Sequence, residues 1–260
     1  MFRRVQMFGS LHRPAVAVIG VWDPLVREHS RLFNRLRRYS KTRPRDTLAV
    51  LLWPHPAAFR GRRCDWPIYN TLPAQVALIR SYGIDAVLVI EFSRRDADKG
   101  AAELIDTVVT HATIAELWLG AYQSLGRCRA GSSPHILAIS RKRRITVRRL
   151  PISRTGITGN RARAKLSAGS LRQAISLVGR PPMLKRPTRG STIFVGWPAG
   201  TYKGVQLDSP SRLSGTRTMR LEIVQHARGT RLHWPDRRVE WIAVVDGPAR
   251  SRARAREESR

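Results

Sequence analysis

The sequence predicts an α/β protein: a doubly wound, five-stranded parallel sheet of the Rossmann-like kind, followed by a small β-rich domain. Three observations carry this. Short apolar runs alternate with segments of helical periodicity from residue 15 to residue 150. The runs are apolar almost throughout, as strands buried on both faces must be, and such strands are joined in parallel by right-handed crossovers. Beyond Pro151 the texture changes to short strand-like pieces separated by Gly, Pro and Ser.

Ala15 to Gly20 is the first strand. Asp23 is a natural N-cap and Pro24 suits a first helical position, so a helix is expected from there, with Leu25, Leu32, Phe33 and Leu36 at helical spacing. Thr47 to Trp53 is a second strand, closed by Pro54-His55-Pro56, which cannot continue a ladder. After a loop over Ala57 to Asn70, Leu72, Val76 and Ile79 mark a helix ending at Gly83, and Asp85 to Ile90 is a third strand. Asp98 to His111 reads as an amphipathic helix, Ile114 to Leu119 as a fourth strand, Gly120 to Ser133 as a loop, Ser133 to Arg144 as a helix and Ile145 to Leu150 as a fifth strand. A loop over Ile152 to Asn160 precedes two helical stretches, Arg161 to Leu166 and Ser170 to Val178. Strands are then expected at Ile193–Gly196, Tyr202–Leu207, Thr218–Val224 and Val239–Val245. The expected domains are an α/β domain over 13–182, a small β-rich domain over 183–249 and a disordered basic tail over 250–260.

The chain is long enough to bury a full core, and 42% of its residues are hydrophobic. Its formal charge is +30, and only six of its 48 basic residues are lysine. Such a surface attracts polyanions, nucleic acid among them, although the arginines are spread through every segment. The densest runs are Arg141 to Arg144 with Arg148 and Arg149, and the tail from Arg250. Two cysteines, Cys64 and Cys128, make neither a disulfide framework nor a metal site, and no apolar run reaches the length of a membrane span. A bacterial cytoplasmic protein without a membrane segment is the expectation. The sequence carries no signal for a particular oligomeric state.

In a doubly wound sheet, ligands bind at the carboxyl ends of the strands. That edge should gather Trp22, Asp23, the Pro54-His55-Pro56 turn and the Gly120 loop. Unpaired amides at a helix start favour an anion, and His29 lies within reach of a phosphate held there, or is a core histidine with a satisfied ring. Asp23 is first a helix cap, and Trp22 apolar lining.

Several separated motifs resemble the FMN adenylyltransferase module of bacterial FAD synthetases, within the nucleotidylyltransferase superfamily. Gly20 to His29 fills the frame of Gly-x-Phe-Asp-Gly-x-His-x-Gly-His, and Leu52-Trp53-Pro54-His55-Pro56 matches Phe-x-Pro-His-Pro. Gly83 to Val89 looks like Gly-Val-Asp-x-Val-Leu-Val. Gly120 to Gly131 is similar to a family loop, keeping Gly126, Arg129 and Gly131. Thr158 to Arg163 parallels Ser-Ser-Thr-x-x-Arg, and Leu177 to Pro181 the family's closing Leu-Leu-Gly-Arg-Pro.

The resemblance implies transfer of AMP from ATP, carried with Mg2+, to FMN, giving FAD and pyrophosphate. It makes His29 and Arg163 the catalytic residues that stabilise the transferred phosphate. Gly20, Val21, Trp22, Asp23, His29, His55, Asn160, Arg161 and Arg163 become nucleotide-binding, and Pro54, His55, Pro56, Gly120, Tyr122 and Gly126 flavin-binding.

The departures bear on activity. Val26 stands where the motif has its first histidine, Glu28 where it has glycine, Tyr122 where the loop has an acid, and Thr158-Gly159-Asn160 where the family has Ser-Ser-Thr. The alternative expectation is therefore a homologue that binds nucleotide, flavin or RNA without turnover; transfer of another nucleotide, such as CMP, is a third. The C-terminal region lacks the Pro-Thr-Ala-Asn motif of riboflavin kinase barrels, so no kinase activity is expected. Gly196 to Tyr202 has only a short likeness to that barrel and is expected to serve packing.

Overall fold

The computed structural model describes residues 2, 4–54, 67–96, 98–120, 133–150, 155–188, 192–209, 212–226 and 229–247. The chain divides into two compact units, residues 1–64 with 75–155, and residues 65–74 with 156–260.

Unit 1 is built on β1 (Val5–Gly9), β2 (Ala15–Gly20), β3 (Asp46–Trp53), β4 (Ala86–Glu91), β5 (Ile114–Gly120) and β6 (Thr146–Leu150), in the order β1-β4-β3-β2-β5-β6. The five predicted strands, β2 to β6, are all parallel. β1 was not predicted; it adds to the edge in the antiparallel sense, pairing Val5 with Ile90 and Gly9 with Ala86. Its side chains are half-buried or exposed, so it lacks the continuous apolar signal of the inner strands.

The inner strands are apolar because both faces are covered. On one face Ala15, Ala17, Ile19, Leu48, Val50, Leu88 and Ile90 form a core with Leu104, Ile105 and Val108 of α3 (Ala101–His111) and with Ile136 and Ile139 of α4 (Ser133–Lys142). The alternate residues, including Val16, Val18, Ala49 and Val89, are also buried. α1 (Arg27–Lys41), which buries Phe33 and Leu36, connects β2 to β3, and α2 (Leu72–Ser81) leads into β4.

Helix starts differ from expectation. α1 begins at Arg27, and its cap is Val26 in extended geometry, so Asp23 is not the N-cap and Pro24 is not its first residue. Leu25 and Val26 are 1% and 0% exposed; the chain turns at residues 22–26 to deliver them to the core before the helix can start. α3 likewise starts late, capped by Gly100, whose N–H donates to Glu103 Oε2 at 2.9 Å. The expected loop over 152–160 is helical from Thr155 as part of α5 (Thr155–Ser167).

The amino edge of the sheet is tied by side chains. Asp85 Oδ2 accepts the Thr47 amide and hydroxyl at 2.8 and 2.7 Å, and the Thr47 hydroxyl accepts the Asp85 amide at 2.9 Å. Near the start of β5, Glu116 accepts from Tyr39 Oη at 2.8 Å and from Arg148 Nε at 2.7 Å. Burial alone pushes the Glu116 carboxyl up, but the bonds from Arg148 and Tyr39 more than offset this and leave it below the ordinary glutamate range.

Unit 2 contains α5, α6 (Leu171–Val178) and a six-stranded antiparallel sheet. The strands are β7 (Met183–Lys185), β8 (Thr192–Phe194), β9 (Gly200–Ser209), β10 (Arg212–His226), β11 (Gly229–His233) and β12 (Trp241–Asp246), in the order β7-β12-β9-β10-β11-β8. β7 and β11 were not predicted; each is too short to show periodicity. α6 ends at Gly179 with φ of 82°, a left-handed conformation that glycine adopts without strain. Trp197, 1% exposed, donates its indole N–H to the Ile68 carbonyl at 2.6 Å, and Tyr202 Oη donates to the Pro198 carbonyl at 2.8 Å. Trp197 and Tyr202 of the Gly196–Tyr202 segment therefore pack the interior of this unit, and burial pushes the Tyr202 phenol up. Among the described residues no helix is long and apolar enough to cross a membrane.

Candidate functional site

Counting only the parallel strands, the chain order across the sheet is third, second, first, fourth, fifth, so the order reverses between β2 and β5. Such a switch point is where doubly wound sheets open a crevice, because the crossovers leave toward opposite faces. Here β2 pairs with β5 through Ala15 with Ile114 and, after a register shift, through Val16 with Glu116 to Val18 with Trp118. Ile19-Gly20 and Leu119-Gly120 extend past the last registered pair.

Gly20 ends β2, and its lack of a side chain is required. A Cβ there would stand 2.4 Å from the Trp22 indole, which folds back over it. Trp22 is 6% exposed, meets Phe33 edge-on with ring centroids 5.2 Å apart, and has φ of 44°. Its carbonyl accepts a hydrogen bond from the buried Gln75 side chain on α2. Val21 is half-buried and Asp23 is 5% exposed. Trp22 thus lines the apolar interior, as expected of it.

His29 is the third residue of α1 and half-buried. Its Nδ1 accepts the Val26 amide at 3.3 Å, half of a capping box that valine cannot reciprocate. The bond from the Val26 amide thus engages one of the two ring nitrogens as an acceptor. Val26 itself is fully buried, so the position of the family's first histidine is part of the core. Glu28 is half-buried in the first turn and Arg27 is exposed.

At the end of β3, Pro54 follows Trp53 across a cis peptide bond. His55 and Pro56 lie outside the described residues, as do Tyr122, Gly126, Arg129, Gly131, both cysteines and the tail 250–260. Gly120 is the last residue of β5. The structure therefore sets Gly20, Val21, Trp22, Asp23, His29, Pro54 and Gly120 along the carboxyl edge of the unit 1 sheet. Asn160, Arg161 and Arg163 belong to unit 2, on α5. Arg163 is 7% exposed and its guanidinium donates to Asn160 Oδ1, while Asn160 and Arg161 are exposed.

Gln75 was missed by sequence reading. Its signal was a polar residue beside Val76 in an apolar helix, too weak to separate from an exposed position. Unit 2 also has a hollow of about 360 Å³ lined by Thr201, Tyr202, Lys203, Thr218, Arg220 and Asp246, among others. Arg220 there already donates to Glu222, and Asp246 accepts from Arg172.

Strand order, crossovers and switch point define unit 1 as a doubly wound α/β domain of the Rossmann-like class. The model of the FAD synthetase family matches residues 9–158, more than half of the sequence, and the chain belongs to that family. It is 26% identical over 180 residues to a bifunctional riboflavin kinase/FMN adenylyltransferase of Pseudomonas fluorescens, a match covering 65% of this chain and 56% of that protein. The chain thus spans little more than half the length of that curated relative. Its fold is similar to that of a protein from Streptococcus pneumoniae described as a macrolide-efflux protein, with a TM-score of 0.60 and 13% identity over 95% of this chain and 92% of the other. At that identity the likeness concerns the fold alone.

Proposed function

We propose that this protein is a nucleotidylyltransferase that moves AMP from MgATP to the phosphate of FMN, forming FAD and releasing pyrophosphate. The observation that carries the reading is His29 at the start of α1, on the carboxyl edge beside the β2/β5 switch, with Nδ1 satisfied by the Val26 amide. Family membership supports the substrate pair. An FMN phosphate oxygen attacks the α-phosphorus, the bond to the β-phosphate oxygen breaks, and pyrophosphate leaves as the magnesium complex that entered with ATP. For this chemistry the protein's contribution is positioning and charge stabilisation. His29, in the first turn of α1, is placed to stabilise a phosphate oxygen as charge builds there. For Arg163 and Asn160 the support is the motif register, and for His55, Tyr122 and Gly126 the resemblance alone.

The second reading, a homologue that binds nucleotide without turning it over, is favoured by the burial of Val26 and by a carboxylate at Glu28. One experiment separates the two. The full chain is incubated with FMN, ATP and magnesium and FAD is followed by chromatography, alongside His29→Ala and calorimetric titration of ATP. The enzymatic reading expects FAD formation that falls about a hundred- to a thousandfold in His29→Ala. ATP binding with no FAD formed would establish the inactive homologue instead.

A further inference from the structure

α1 displays six exposed cations, Arg27, Arg31, Arg35, Arg37, Arg38 and Lys41, against one acid, Glu28. Among the described residues, none of the six is ion-paired with a carboxylate. Two have packing roles: Arg37 lies against Gly83, and Arg35 lies over the Trp118 ring at 6.0 Å. The row as a whole still carries a local cost. Arg27 with Arg31, Arg31 with Arg35 and Arg37 with Lys41 are spaced four apart, where like charges face each other and weaken a helix. The helix dipole favours Arg38 and Lys41 in the last turn but opposes Arg27 and Arg31 near its positive end. Arg31, Asn34, Arg37, Arg38 and Lys41 together line a hollow of about 380 Å³.

We propose that this face of α1 is a docking surface for the phosphodiester backbone of a nucleic acid duplex, bound by charge without sequence readout. The row from Arg27 to Lys41 spans about 21 Å at 1.5 Å per residue, so a cation recurs at nearly every turn against the dense phosphate charge of a duplex. Five of the six cations are arginine, which grips phosphate oxygens bidentately. The chemistry of the face disfavours other polyanions. It offers no apolar side chain to enter a bilayer, since Phe33 and Leu36 are buried and Leu32 half-buried. Nor does it offer an aromatic platform for unpaired bases: the half-buried Tyr39 ring is approached by the guanidiniums of Arg43 at 4.9 Å and Arg148 at 5.0 Å. This inference is independent of the nucleotidyl-transfer reading and stands or falls separately from it.

The test uses the full chain and fluorescence anisotropy with labelled RNA and DNA duplexes of about twenty base pairs, measured across a salt series. A single-stranded oligonucleotide and phosphatidylserine vesicles serve as further arms. Arg31→Gln/Arg38→Gln/Lys41→Gln is compared with Arg186→Gln/Arg237→Gln/Arg238→Gln, which removes the same charge from exposed positions of unit 2. Glutamine keeps helix propensity, and circular dichroism confirms that both triples fold. The α1 triple is expected to weaken duplex binding about tenfold or more and to flatten the salt slope by about 2 to 3, while the unit 2 triple stays near the unaltered chain. Equal weakening by the two triples, an unaffected α1 triple, or tighter binding to vesicles or single strands than to duplex would overturn the proposal.

Discussion

The two edges of the parallel sheet in unit 1 are built on opposite principles. At the amino edge, polar side chains close on one another and on backbone amides: Asp85 with Thr47, and Asp46 Oδ2 with the amides of His12 and Arg13. At the carboxyl edge the chain departs from regular geometry, through Trp22 at positive φ, the indole folded over Gly20 and a helix capped by its own third residue. Hydrogen bonds between groups already in place lock the strands where they start. The irregular backbone at the other edge buries Trp22, Leu25 and Val26 and leaves a helix start facing the switch point. Substitutions at the amino edge should therefore cost folding free energy alone, and those at the carboxyl edge should also cost ligand binding and turnover.

The largest expected effect on stability is that of Asp85→Ala. It removes two hydrogen bonds to a charged acceptor and leaves the buried Thr47 amide without its partner, a loss of about 3 kcal/mol. Urea unfolding measures it, and a loss below about 1 kcal/mol would mean that the amino edge is not locked as described. Gly20→Ala at the opposite edge sharpens the contrast. Its methyl must displace the Trp22 indole, at a cost of about 1–3 kcal/mol, and ATP affinity by calorimetry should fall with it. Stability lost with ATP affinity retained would separate Gly20 from any nucleotide site.

Glu116→Gln gives the smallest change, about 1 kcal/mol at neutral pH, and it alters the pH profile. Because the folded carboxyl sits below its ordinary range, its contribution is fully present above the unfolded pKa and is lost as pH falls through the lower folded value. Unfolding free energies from pH 7 down past about pH 4 should converge for the wild type and Glu116→Gln. A constant gap would rule out the network with Tyr39 and Arg148.

The inner strands were legible because burial on both faces leaves only apolar residues, so β2, β3 and β4 appear as continuous runs. The same logic hid β1, whose half-exposed residues carry no run, and β7 and β11, which are three and five residues long. The start of α1 was misjudged because Asp followed by Pro suits a helix cap and a turn equally, and only the burial of Leu25 and Val26 decides between them. His29 was legible as a helix-start histidine. Its engagement with the Val26 amide was not, since that depends on where the helix begins. Gln75 was invisible because its partner is a backbone carbonyl distant in sequence.

β6 closes one side of the unit 1 sheet with Thr146, Arg148 and Arg149 exposed. An edge strand is a template on which a second molecule can zip, and the exposed Arg149, beside an Arg148 paired with Glu116, keeps a positive charge on that edge. Arg149→Val should raise self-association at high concentration relative to the unaltered chain, visible by light scattering. The arginine abundance that looks like a signature of binding at α1 acts on β6 as colloidal protection.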